Sequence, residues 1–248
     1  ALAGRGALAV TYLAARVAGS PDAGRRTGGA GVGVAMLASW RTPARAALIG
    51  VVGALTATMF QSALAPRETF RSFFGVHKVR EIADGRYRGL EHGTTLHGAM
   101  RIRNDDGTPY TGAPEPTTYY TNEGALAEAI RAVRGAQGGA IKRASLVGLG
   151  AGALACQFDK GETFRFFEID PEVVRLASDP RYFRFLSECG GKDVVLGDAR
   201  LTLTKQPETS QLLVIDAFSS DAIPLHLLTR EALAAYLTRV SDDGAIVL

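Results

Sequence analysis

The spacing of hydrophobic positions changes twice along this chain. Residues 1–65 are apolar blocks of Ala, Gly, Val and Leu broken by single arginines. Within them Ala46–Ala65 (AALIGVVGALTATMFQSALA) runs twenty residues without a charge, the length that crosses a bilayer core of ~30 Å. Ala1–Val17 carries Arg5 and Arg16, and Gly28–Trp40 is short and glycine-rich. A buried helix competes with a membrane span at Ala46–Ala65, because Ala and Gly are weak membrane residues. From Phe70 to Ile102 the period becomes that of short strands: FFGVHKVREI, GRYRGLEHG and TTLHGAMRI, punctuated by Asp84-Gly85 and Gly93, predict an antiparallel hairpin or meander. Asn104–Pro116 is a polar loop. Tyr119 and Tyr120 then lead into a predicted helix, Glu123–Arg134, with Leu126, Ile130 and Val133 on one face.

From Ala144 strands and helices alternate. Strands are predicted at Ser145–Val147, Thr163–Ile169, Asp193–Leu196, Leu212–Ile215 and from Ala245 onward. Helices are predicted at Ala153–Phe158, Pro171–Ser178 (Pro171 in a favourable first turn), Pro180–Glu188 and Thr229–Val240. This alternation predicts an α/β fold, a parallel sheet covered by helices on both faces. The expected organisation is an apolar helical segment over 1–66, a small β-strand domain over 67–118, and a Rossmann-like adenosyl-binding domain over 119–248. The chain starts at Ala1 and stops inside the apolar run GAIVL, as expected of a fragment cut at both ends.

The first strand of that alternation ends in Gly148, and Gly150 and Gly152 follow. Glycines suit a tight turn where a ligand must come close to bare backbone, and a helix starting there offers unpaired N–H groups. Glu168, at the tip of the next strand and twenty residues after Gly148, is placed to accept from the two hydroxyls of a ribose. The pattern predicts an adenosine-bearing ligand. Asp170, Asp198 and Asp216 also fall at strand ends, where ligands of such sheets sit. Asp198, in GDAR beside Ala199, suits an exocyclic amine such as that of adenine, or caps a helix. Asp216 and Asp221 share the loop VIDAFSSDAIP. An amine nucleophile must lose a proton before it attacks carbon; one carboxylate takes that proton and a second holds the rest of a polycation. Tyr119 and Tyr120 offer a hydroxyl and an apolar ring to close the pocket.

Charge and cysteine content narrow the partners. Net charge is +3, but residues 1–65 hold six arginines against one aspartate, leaving the remainder at −2. No basic nucleic-acid surface is indicated there. Cys156 and Cys189 lack paired spacing and are expected as reduced thiols of a cytosolic domain. No metal cluster is expected among His77, His92, His97 and His226.

VGLGAGALA, EIDPEVVRLA, GDARLTL and DAFSSDAIPLHLLTREAL together resemble the spermidine synthase (aminopropyltransferase) family. FFGVHKVRE, LEHGTTLHGA and PTTYY resemble the N-terminal strand region of its bacterial membrane-fused branch. The resemblance covers about Phe70–Leu248. It implies a class I S-adenosylmethionine-dependent methyltransferase-like (Rossmann-like) sheet preceded by a small β domain. It implies that Gly148, Gly150, Gly152 and Glu168 hold the nucleoside, with Asp198 and Ala199 at the adenine. Asp216 would then be the base, helped by Asp221, Tyr119 and Tyr120. The implied reaction moves an aminopropyl group from decarboxylated S-adenosylmethionine, or uses S-adenosylmethionine itself, with a polyamine such as putrescine as acceptor and no metal. The implied location is the cell membrane, through the N-terminal segment, with the catalytic domain cytoplasmic; a homo-oligomer is allowed. Three departures stand out: Ala151 occupies the place of an acid that grips the donor's ammonium, Met100 that of a glutamine, and four residues separate Asp216 from Asp221. The competing readings are a methyltransferase, a nicotinamide-dependent oxidoreductase, which GDAR and the DAFSSD loop disfavour, and a non-catalytic polyamine or nucleoside sensor.

Overall fold

The structure, a computed structural model, describes residues 41–64, 67–190, 193–217 and 224–248. The chain falls into two units, Ala1–Pro66 and Arg67–Leu248. In the first, helix α1 covers Pro43–Leu64. The expected membrane span, Ala46–Ala65, falls on this helix, and its side chains from 56 onward lie outside the described residues. Among the described residues no helix is long and apolar enough to cross a membrane.

The second unit opens with a four-stranded antiparallel meander: β1 (Arg67–Arg71), β2 (Val76–Ile82), β3 (Tyr87–His92) and β4 (Thr95–Arg101), paired in that order. Both expected turns are present. Ala83, Asp84 and Gly85 take positive φ in succession between β2 and β3, and Gly93 (φ 61°) serves the β3–β4 hairpin, where His92 pairs with Thr95. Helix α2 (Ala125–Ala136) follows.

Five parallel strands then form one sheet in the order β7-β6-β5-β8-β9, with β5 at Ala144–Val147, β6 at Phe164–Glu168, β7 at Val194–Leu196, β8 at Ser210–Ile215 and β9 at Val240–Val247. The central strand is laid down first, the chain winds outward through β6 and β7, then returns to the other side of β5. That reversal opens a crevice at the carboxyl ends of β5 and β8. Helices α3 (Pro171–Ser178), α4 (Phe185–Glu188), α5 (Ala199–Thr204) and α6 (Arg230–Leu237) complete the layers.

The central strands are apolar on both faces, as a doubly covered sheet requires. Leu146, Phe166, Leu212 and Val214 point into one core with Ile130, Leu176 and the meander's Val79, Leu90 and Met100. Val147, Phe167, Leu213 and Ile215 point into the other with Leu203 and Tyr236. Truncating one such side chain, Leu146→Ala for instance, costs about 2–5 kcal/mol.

Four expectations differ. The segment after the glycines is a 3₁₀ turn, Ala153–Gln157, rather than an α-helix. The helix expected over Pro180–Glu188 is confined to Phe185–Glu188. The last strand starts at Val240, five residues earlier than Ala245, and the helix before it ends at Leu237. Cys156 and Cys189 are not free thiols: they form a disulfide across a sequence separation of 33, with Cα atoms 4.9 Å apart. Spacing along the chain gave no sign of it, because β6 and α3 lie between the two cysteines and only folding brings them together. Met100 is 2% exposed and sits in the core, its sulfur taking the Arg184 N–H at 3.2 Å.

Candidate active site

One cavity of about 260 Å³ lies over the carboxyl ends of the parallel strands, just below the usual size of ligand sites (roughly 300–1,000 Å³). Gly148, Leu149 and Gly150 line it after β5, Glu168, Ile169 and Asp170 after β6, and Gly197, Asp198 and Ala199 after β7. Asp216 and Ala217 follow β8, and the meander contributes His77, His92 and His97. Glu168 and Asp216 thus face one space.

Each strand end is held by backbone. The Gly148 N–H donates to the Phe167 carbonyl (2.9 Å) and the Asp216 N–H to the Val147 carbonyl (2.8 Å). Gly148 has φ +96°, and a Cβ there would fall on the Asp216 carbonyl, so the turn admits only glycine. Gly150 answers a different demand. Its Cβ would fall on the His97 carbonyl, which accepts from the Ala151 N–H at 3.0 Å. Gly150 therefore lets the meander close onto the loop. Gly152 does not line the cavity; it makes room for Leu186 and Phe185 of α4.

Glu168 is 8% exposed. One carboxylate oxygen accepts from the Leu149 N–H (3.0 Å) and the other from the Asp170 N–H (2.9 Å). Burial raises its pKa, opposed by these backbone donors. Asp170 accepts from Ser72 Oγ (2.5 Å) and is bonded to His77 Nε2 (2.7 Å) through Oδ2, and caps α3 through the Glu172 N–H (2.9 Å) on Oδ1. Burial works to raise its pKa, but the Ser72, His77 and Glu172 hydrogen bonds win and lower it. Asp198 accepts from the Arg200 N–H at 2.9 Å, capping α5, with Ala199 buried beside it.

Asp216 is pushed up to about 6 by burial, against a hydrogen bond donated by the Tyr120 hydroxyl to Oδ2. Tyr120 is 6% exposed; burial, and then the Asp216 charge, hold its hydroxyl protonated well above the usual tyrosine range. Tyr119 does not line the cavity: its ring packs against Tyr120 (centroids 4.4 Å) and its hydroxyl donates to the Leu96 carbonyl at 3.0 Å. Asp221 lies outside the described residues.

The unforeseen occupants are the histidines. All four in the sequence line this cavity. His77 and His92 are register partners across β2–β3, a juxtaposition that follows from the strand pairing once the Asp84-Gly85 turn is placed. Among the described residues no three His, Cys, Asp or Glu groups are placed to hold a metal, and no lysine or arginine lines the cavity. Carboxylates and imidazoles without a lysine or arginine suit a cationic ligand that carries a transferable proton.

No protein-family model matches the chain. Over 113 residues it is 34% identical to a polyamine aminopropyltransferase of Vibrio vulnificus, a match that covers 43% of this chain and 36% of that protein. The chain thus spans about a third of the length of this curated relative. Its fold matches the crystal structure of a probable spermidine synthase from Corynebacterium glutamicum with a TM-score of 0.54 at 17% identity, covering 73% of this chain and 62% of that one. The expected resemblance to the spermidine synthase family is therefore present in sequence, and the expected parallel sheet is present in fold.

Proposed function

We propose that the chain carries the catalytic unit of a spermidine synthase-like aminopropyltransferase, which moves an aminopropyl group from decarboxylated S-adenosylmethionine to a polyamine such as putrescine. The observation that carries this reading is Asp216: a carboxylate of raised pKa, bonded to a buried tyrosine, facing the same cavity as Glu168 and the glycine loop.

In the reaction Glu168 holds the ribose hydroxyls, the Gly148–Gly150 backbone lies against the nucleoside, and Asp198 and Ala199 meet the adenine. Gly152 supports the loop from behind. Asp216 takes a proton from the acceptor ammonium. The freed nitrogen attacks the carbon next to the sulfonium, a C–N bond forms, the C–S bond breaks, and methylthioadenosine leaves as a neutral thioether. The Tyr120 hydroxyl orients Asp216 and lowers its pKa towards the range where a base works at neutral pH. Asp221 remains a proposed contributor to amine binding, and Tyr119 contributes through its packing against Tyr120.

A second reading, a methyltransferase acting with intact S-adenosylmethionine, is favoured by one observation. Ala151, where an acid would grip the donor's ammonium, is an apolar residue bonded to the meander. Losing one ionic hydrogen bond costs on the order of 1.5–3 kcal/mol, enough to change donor preference.

The three-part organisation (1–66, 67–118, 119–248) is proposed with it, and so is attachment of the first part to the cell membrane with the catalytic unit on the cytoplasmic side. Support for attachment is the uncharged run Ala46–Ala65. Vesicle flotation of the full chain with and without 1–66 tests it.

Turnover of putrescine with decarboxylated S-adenosylmethionine, compared between wild type and Asp216→Asn, tests the chemistry. The expected result is a loss of rate of 10²-fold or more with donor affinity kept. Unchanged aminopropyl transfer in Asp216→Asn removes the base assignment, and transfer of methyl alone selects the second reading.

A further inference from the structure

Resting on the aminopropyltransferase reading, the geometry points to a second subsite in the same cavity. We propose that the clustered imidazoles of His77, His92 and His97 hold the terminal primary amine of a short alkyl chain through ring nitrogen lone pairs, in place of a carboxylate.

The three rings come from β2, β3 and β4 and lie in sequence against one another, with centroids 4.9 Å apart for His77–His92 and 5.9 Å for His92–His97. Gly75 leaves the space that the His92 ring fills. His77 is 3% exposed and its Nε2 is committed to Asp170. Asp170 is an acceptor there, so in the neutral ring Nε2 carries the hydrogen and Nδ1 is a bare acceptor. That Nδ1, and the Nε2 of His97, are buried with no hydrogen-bond partner among the described residues. Both rings line the cavity. A buried acceptor left unmatched is costly, and its match is an N–H or O–H brought by a ligand.

The neighbouring charges decide which kind. The carboxylate at this end, Asp170, is already used by Ser72, His77 and the Glu172 N–H. His97 is held down at about 4, first by burial and then by His92 and His77. His92 is lowered by burial and by His77, with Asp170 opposing. The remaining titratable groups on the cavity are Glu168, Asp198, Asp216, Tyr120 and His226. The His97 ring, held neutral by burial, accepts from an amine without adding charge. It also sits beside Ala151, whose N–H is bonded to the His97 carbonyl, where the glycine loop supplies no acid. The amine has two sources: the aminopropyl end of the donor, or the far end of the acceptor diamine.

The experiment is titration calorimetry on the full chain with three probes: methylthioadenosine, which lacks the amine; decarboxylated S-adenosylmethionine; and putrescine in the presence of saturating methylthioadenosine. In His97→Leu the affinity for one amine-bearing probe is expected to fall roughly tenfold while methylthioadenosine binds as in wild type. His97→Gln, which restores an acceptor, is expected to recover most of it. Weakening of the donor assigns the amine to the aminopropyl end, weakening of putrescine to the acceptor. If His97→Leu does not fold, His97→Phe, which keeps a ring and removes both nitrogens, gives the same comparison. Equal weakening of all three probes, or of none, overturns the subsite while leaving the enzyme reading intact. Failure of wild type to bind methylthioadenosine overturns the enzyme reading and the subsite with it.

Discussion

The Tyr120 hydroxyl donates to Asp216 Oδ2 across 96 positions of sequence, joining the 3₁₀ turn that follows the meander to the end of β8. The bond stabilises the ionised carboxylate, and burial opposes it more strongly, leaving Asp216 at about 6. A base works only when ionised, so kcat/KM is expected to fall as pH drops below about 6. In Tyr120→Phe the opposing hydrogen bond is gone, and that acid limb moves to higher pH. A pH profile of both proteins reads the shift; coincident profiles would separate Tyr120 from the base.

The same raised pKa has a thermodynamic side. Asp216's folded pKa lies above its ordinary value, so its favourable contribution is present while the group is protonated and is lost as pH rises through about 6. Asp216→Asn removes an unfavourably buried charge. Discounted for partial exposure, a gain of about 1–2 kcal/mol at pH 7 is expected, vanishing near pH 4. Denaturant melts at the two pH values measure it, and an equal effect at both would remove the electrostatic cause.

Glu168→Gln replaces an acceptor-only group facing two backbone N–H donors with one that carries its own donors. Methylthioadenosine affinity is expected to fall about 10- to 100-fold. Because burial raises the Glu168 pKa, wild-type affinity should also weaken as pH falls towards that pKa, a dependence absent from the variant. Isothermal titration across pH distinguishes them.

Gly150→Ala places a methyl on the His97 carbonyl at a positive φ of +52°. Loop and meander must separate, at an expected cost of about 1–3 kcal/mol. Gly161→Ala serves as the control: it also has positive φ but nothing within 4 Å of the added Cβ. A larger loss of thermal stability in Gly150→Ala than in Gly161→Ala isolates the contact from the strain.

The Cys156–Cys189 disulfide closes the segment carrying β6 and α3, and so the Glu168 strand end. Chain entropy for a separation of 33 gives about 3–4 kcal/mol. Reductant, or Cys156→Ser with Cys189→Ser, is expected to lower the melting temperature by roughly 10 °C. An unchanged melt in reductant would mean the bond contributes nothing.

Sequence and structure agree most closely where local chemistry dictates the backbone. The alternation of buried strands and amphipathic helices, the Asp84-Gly85 and Gly93 turns, and the turn after Ser145–Val147 all depend on neighbours a few positions apart. The 3₁₀ turn at Ala153–Gln157 was not legible, because the segment it packs against, Phe185 and Leu186 beside Gly152, lies some thirty residues further along the chain. Tyr119 and Tyr120 are adjacent and alike in the sequence; only packing turns one towards Asp216 and the other towards the Leu96 carbonyl.

By itself the sequence determined the parallel sheet, the strand-end carboxylates and the glycine turn, because period, turn residues and the distance from Gly148 to Glu168 are properties of one chain segment. Tertiary structure alone decided that Cys156 meets Cys189, that Asp170 is taken by His77, and that four scattered histidines face one cavity. Those contacts join residues far apart in sequence, and their geometry exists only after the sheet and the meander have closed on each other.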